Sequence, residues 1–156
     1  MIEVEIEAGA WSSALEDPGG LTARAAEAAL AGASAGGDIV VLLAGDETLA
    51  ELNQRFRDKP GPTNVLSFPA PESARPHLGD VAVAFGVCER EAADQGKRLG
   101  DHLMHLVAHG VLHLVGYDHE TDAEAEAMEA LERRVMQGLG APDPYLAARP
   151  IGTHAS

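Results

Sequence analysis

The stretch His109-Gly110-Val111-Leu112-His113-Leu114-Val115-Gly116-Tyr117-Asp118-His119 decides how the rest of the chain is read. Ahead of it, Leu99, Leu103, Leu106 and Val107 recur at helical spacing, which puts His109 and His113 near the C-terminal end of a helix. Residues four apart lie one turn apart on the same face, so both imidazoles can reach one ion. Gly116 supplies the stop, because glycine takes positive φ at no steric cost. The chain turns there and His119 follows three residues later. Three neutral imidazoles leaving a fourth position open are the donor set of a catalytic zinc site, whereas structural zinc is usually closed by four protein ligands.

The spacing His-x-x-x-His-x-x-Gly-x-x-His is also the skeleton of the metzincin peptidases. Those enzymes place glutamate directly after the first histidine as general base. Here that position is Gly110, so the metal pattern is present and the peptidase base is not.

Composition narrows the classes. A chain of 156 residues fits one domain with a real core. The single cysteine, Cys88, excludes an internal disulfide framework and suits a reducing cytoplasm. No apolar run approaches the roughly 20 residues that span a bilayer, so no membrane partner is expected. The opening Met1-Ile2-Glu3-Val4-Glu5-Ile6-Glu7 is acidic and alternating, a strand pattern and not that of a signal peptide. The net charge of −14 opposes loose adhesion to nucleic acid or anionic lipid, but leaves room for a small basic cleft. Arg55, Arg57 and Lys59 form the densest basic spot before Lys97-Arg98. The acidic run Glu120, Asp122, Glu124, Glu126, Glu129 and Glu132 reads as a solvated helix face.

Taken in order, residues 2–8 alternate as a strand with one wet face. Residues 9–20 form a loop with a short helix near Trp11–Leu15, and Thr22 reads as the N-cap of an Ala-rich helix through about Ala33. The run within Asp38–Ala44 predicts a strand buried on both faces, parallel to the first. Asp46 reads as the cap of a helix that turns Leu49, Leu52 and Phe56 inward and yields before Pro60-Gly61-Pro62. Strands at Thr63–Pro69 and Leu78–Ala84 are expected to pair antiparallel, with Gly79 allowing a close backbone approach. Helices follow at about 86–95, 98–115 and 121–138. The expected architecture is α+β, a single domain over 1–140 with a small mixed four-stranded sheet and about five helices, followed by a loose tail over 141–156.

The histidine segment resembles the signature of the YbeY family, bacterial endoribonucleases that act as rRNA maturation factors. Leu52-Asn53-Gln54-Arg55-Phe56-Arg57 with Pro62-Thr63-Asn64-Val65-Leu66-Ser67-Phe68-Pro69 is similar to the family's second block, and Leu78-Gly79-Asp80-Val81 to its third. The likeness covers roughly residues 50–120. It implies that His109, His113 and His119 bind one zinc ion, with His109 counted among the catalytic residues, and that Arg57 faces the substrate. It also implies single-stranded RNA as substrate, the 16S rRNA 3′ end as target, ribosome quality control as setting, and a ribosomal subunit or ribosomal protein as partner.

Around that set, Asp118 and Asp80 are candidate carboxylates behind an imidazole; Asp118 also suits a helix cap and Asp80 a strand end. His102 and His105 share the face of His109 and can line the cleft. Tyr117 offers a stacking face but more often packs locally in a turn, and His154 is given no role. Two other functions compete: an assembly factor whose metal only pins the helix end, and a metzincin-like metal hydrolase, which Gly110 disfavours.

Overall fold

Ile2, Val4 and Ile6 alternating with glutamates build an edge strand, β1 (Ile2–Ile6), although Ile6 is largely exposed. Residues 1–145 are described in the computed structural model; expectations for 146–156, His154 included, lie outside the described residues. A single turn, α1 (Ala10–Ala14), sinks Trp11 completely, and its indole N–H donates to the Ala44 carbonyl at 2.9 Å.

The next helix, α2 (Pro18–Gly32), starts a full turn earlier than Thr22. Asp17 caps it by accepting from the Gly20 amide, and Pro18 occupies the first helical position, where its missing N–H costs nothing. Thr22 is instead buried inside the helix. The strand β2 (Asp38–Ala44) runs parallel to β1 as expected. One face is fully buried, while Val40 and Leu42 on the other are only partly covered.

α3 (Asp46–Arg57) is capped by the backbone of Gly45, not by Asp46. The Asp46 carboxylate reaches the neighbouring helix instead, accepting from the Val87 amide at 3.0 Å and from Arg90 at 3.0 Å. Leu49 is buried and Leu52 half-buried, but Phe56 is 59% exposed, in an edge-type contact with Phe68 and under the Arg55 guanidinium. A hairpin-like pair follows, β3 (Val65–Pro69) antiparallel to β4 (His77–Ala84), then α4 (Phe85–Gln95), α5 (Leu99–Leu114) and α6 (Asp122–Gly138).

Strand order is β1-β2-β4-β3, with β3 the one antiparallel member. The main core lies between one sheet face and α2 and α5, with Ile39, Val41, Val81 and Val83 meeting Leu103, Val107 and Val111. α6 closes the outside of α2 and α5, while α3 covers the opposite sheet face with a smaller apolar cluster. The C-terminal ends of α3 and α5 therefore come from opposite faces of the sheet to its β3 edge. No helix among the described residues is long and apolar enough to cross a membrane.

Residues 141–145, expected to begin a loose tail, pack against the body. Pro144 is buried and its carbonyl accepts from Lys97 at 2.6 Å, while Asp143 pairs with Arg133 at 3.3 Å.

Candidate active site

The end of α5 builds the site. Gly116 adopts φ +106°, its amide donates to the His113 carbonyl at 3.1 Å, and the Tyr117 amide donates to the Leu112 carbonyl at 3.0 Å. Those two bonds satisfy the last helical carbonyls and reverse the chain. The reversal carries His119 back over the helix end. Ring centres of His109 and His113 stand 4.6 Å apart, and His119 lies 5.0 Å from His113 and 5.7 Å from His109. One nitrogen from each of the three lies within 4.8 Å of the others.

Hydrogen bonds fix where the protons are. The Tyr117 carbonyl can only accept, so His113 donates from Nδ1 at 2.9 Å and keeps its Nε2 lone pair free. His109 Nδ1 meets Glu132 Oε2 at 3.1 Å. Burial pushes the Glu132 carboxyl up, but hydrogen bonds from His105, His109 and Tyr145 outweigh it and hold the pKa at about 2. Glu132 is thus a carboxylate and His109 donates to it from Nδ1, which in the neutral ring makes Nε2 the lone-pair nitrogen. The two free Nε2 atoms face each other at 3.1 Å. A cation between them, a shared proton or a metal ion, suits that distance. Imidazole nitrogens on one tetrahedral zinc stand about 3.3 Å apart, given bonds of roughly 2.0–2.1 Å. The donor set fits, and His109, His113 and His119 could hold one metal ion. Burial, then the neighbouring His109, pulls the His113 pKa below the ordinary histidine value, which favours the neutral form that ligates.

An open cleft of about 670 Å³ leads away from the triad and reaches Arg57 and Lys59. Arg57 is the last residue of α3, exposed, with no ion-pair partner among the described residues. The turn beyond it is pinned by buried Asn53, whose side-chain amide donates to the Gly61 carbonyl at 3.0 Å and whose carbonyl accepts from the Lys59 amide at 3.3 Å. The two cations are therefore held at the rim. Arg55 points elsewhere, 4.0 Å from Glu51.

The endoribonuclease YbeY family model matches residues 20–140. The chain belongs to the YbeY endoribonuclease family. It is similar to a protein of Maricaulis maris named endoribonuclease YbeY, 58% identical over 109 residues, covering 70% of this chain and 68% of that one. Proteins of the same name from Rhodopseudomonas palustris (49% identical, 92% of this chain and 80% of the relative) and Cereibacter sphaeroides (47%, 93% and 98%) are similar over most of this chain. A solution structure from Thermotoga maritima is 28% identical, covers 99% of this chain and all of that one, and superposes with a TM-score of 0.58.

In this YbeY-family chain Gly110 does more than lack a base. A Cβ there would stand 2.7 Å from Val81 Cγ1 and 3.1 Å from Ser67 Oγ, and the Ser67 hydroxyl donates to the Gly110 carbonyl at 2.8 Å. Position 110 faces the sheet, so a peptidase glutamate has no room. Gly110→Ala is expected to destabilise the fold by about 1–3 kcal/mol through overpacking, read as a lower melting temperature.

The candidate carboxylates separate. Asp118 lines the cleft, but its Oδ1 accepts from the His119 amide at 2.8 Å, so it shapes the turn carrying the third histidine. Asp80 is not brought to the site. It pairs across the sheet with Phe68, on the α3 side, and bonds to His77 at 3.0 Å, whereas the histidines come from α5 on the other side. Tyr117 lines the cleft. His102 and His105 line a neighbouring cavity, His102 bonded to Glu91 at 2.9 Å and His105 to Glu132 at 2.5 Å.

Glu132 is the functional residue that sequence reasoning missed. It belongs to the run read as a solvated face, yet it is fully buried and accepts from His105, His109 and Tyr145. The signal was its place in the apolar stripe Met128, Leu131, Val135 and Met136. A glutamate at a stripe position needs donors around it. Tyr145, whose hydroxyl donates to Glu132 at 2.6 Å, fell in the segment assigned to the tail.

Proposed function

We propose that this chain is a zinc-dependent endoribonuclease that cuts single-stranded RNA in the cytoplasm, and that its task is maturation of the 16S rRNA 3′ end and ribosome quality control. The observation that carries the reading is the convergence of His109, His113 and His119, two of their Nε2 atoms 3.1 Å apart, at one end of a cleft that also holds Arg57 and Lys59. His109 and His113, with His119, would hold the ion. Zinc there would supply Lewis-acid polarisation of a phosphoryl oxygen and lower the pKa of the attacking water.

The chain's own groups do the rest. The planar Arg57 guanidinium matches phosphate oxygens in two-pronged fashion and meets the charge that builds on phosphorus in the transition state. Lys59 adds a point charge beside it. Glu132 and the Tyr117 carbonyl keep the Nδ1 protons of His109 and His113 in place, so both rings stay oriented and basic.

With a net charge of −14, the chain has little long-range attraction for naked RNA. A ribosomal subunit or ribosomal protein supplies the docking in this account. The test is a small ribosomal subunit carrying 16S rRNA extended at its 3′ end, incubated with zinc-loaded protein. Shortening of that end, faster on the particle than on the same RNA stripped of protein, is expected. Equal or absent cleavage of the particle would remove the ribosomal assignment.

A further inference from the structure

A second cavity, of about 270 Å³, adjoins the cleft. Asn64, Val65 and His109 line both spaces, so the two adjoin around the His109 ring. The second cavity is lined by one ammonium, Lys97, and one carboxylate, Glu91. Lys97 donates to the Pro144 carbonyl at 2.6 Å, and Glu91 accepts from His102 at 2.9 Å and from Asn64 at 3.1 Å. A wall with one ammonium and one carboxylate carries no net positive charge to draw a phosphate. It offers hydrogen-bonding edges instead, the Gln95 amide and the remaining lone pairs of a one-third-exposed Glu91. Tyr145 adds an aromatic ring, set edge-on to His105 at 5.3 Å. The volume falls just below the roughly 300 Å³ at which small-molecule sites begin, which suits a base without its sugar and phosphate.

We infer that this cavity receives one unstacked nucleobase of the RNA strand whose backbone lies in the cleft. The inference rests on the RNA reading proposed above. Acceptors on Glu91 favour a base with an exocyclic amino group over uracil, and unstacked bases with exposed edges are what single-stranded substrates present.

The test is an NMR titration of the full chain with a 2′-O-methyl cytidine trinucleotide, and with the same strand lacking its central base. The intact strand is expected to shift Gln95, Lys97 and Tyr145 together with Arg57. The strand without a base is expected to shift Arg57 alone and to bind about tenfold more weakly. Gln95→Trp, an exposed substitution at the cavity mouth, is expected to erase that tenfold difference. If Arg57 moves while Gln95 and Tyr145 stay still, or if the difference survives in Gln95→Trp, the base pocket is wrong and the RNA reading stands. If neither region moves, RNA binding itself fails and takes the pocket with it.

Discussion

Replacing Arg57 with alanine is expected to slow RNA cleavage by about 10²–10³-fold, the cost of removing one fixed group that meets transition-state charge. The side chain is exposed at the end of α3 and has no ion-pair partner among the described residues, so its loss leaves the fold as it was. Melting temperature and metal content should match the wild type. Arg57→Lys is expected to recover only part of the rate, because an ammonium lacks the two-pronged geometry. The same variant separates the catalytic reading from an assembly factor with a structural metal. A structural centre would be indifferent to Arg57 and would lose stability when stripped of metal. Unchanged turnover in Arg57→Ala would therefore move the account to that alternative.

Glu132→Gln is expected to weaken metal binding by about 10–100-fold, the usual consequence of disturbing the group behind a ligating histidine. Glu132 is fully buried and receives three donors: His105, His109 and Tyr145. An amide has one oxygen and an NH₂ group. Whichever way it turns, its N–H meets a ring nitrogen or hydroxyl that was donating. If His109 responds by moving its proton to Nε2, it loses the lone pair that faces the ion. Tyr145→Phe removes one donor and leaves the other two, so a smaller loss of affinity is expected there. Affinity is read by competition with a chelator, alongside melting of the metal-free proteins. A lower melting temperature with unchanged affinity would make Glu132 structural only.

The histidine triad was legible in the sequence because its geometry is local. Two residues four apart on a helix, a glycine that ends it and a third histidine three residues on leave little freedom, and His109, His113 and His119 do converge. The parallel first pair of strands and the antiparallel third and fourth were legible for the same kind of reason, patterning plus the length of the connections. Glu132 was hidden by composition. It lies among acidic residues that do face solvent, and its place in the apolar stripe of α6, which packs on α5, is the one sign that it turns inward onto His109. Asp80 misled in the opposite way. Its block of sequence lies close to the site, but alternation along β4 sends its side chain to the other face. Phe56 keeps the helical period yet stays exposed, because it meets Phe68 on the edge strand β3, beyond which no further strand lies among the described residues.

The most direct test of the account pairs metal content with cleavage in the wild type and in His113→Ala, both purified without added metal. About one zinc per chain is expected in the wild type, together with cleavage of a single-stranded rRNA fragment. The variant is expected to lose both and to keep its helical content. A wild-type protein that holds no zinc and gains no cleavage when zinc is supplied would contradict the central claim.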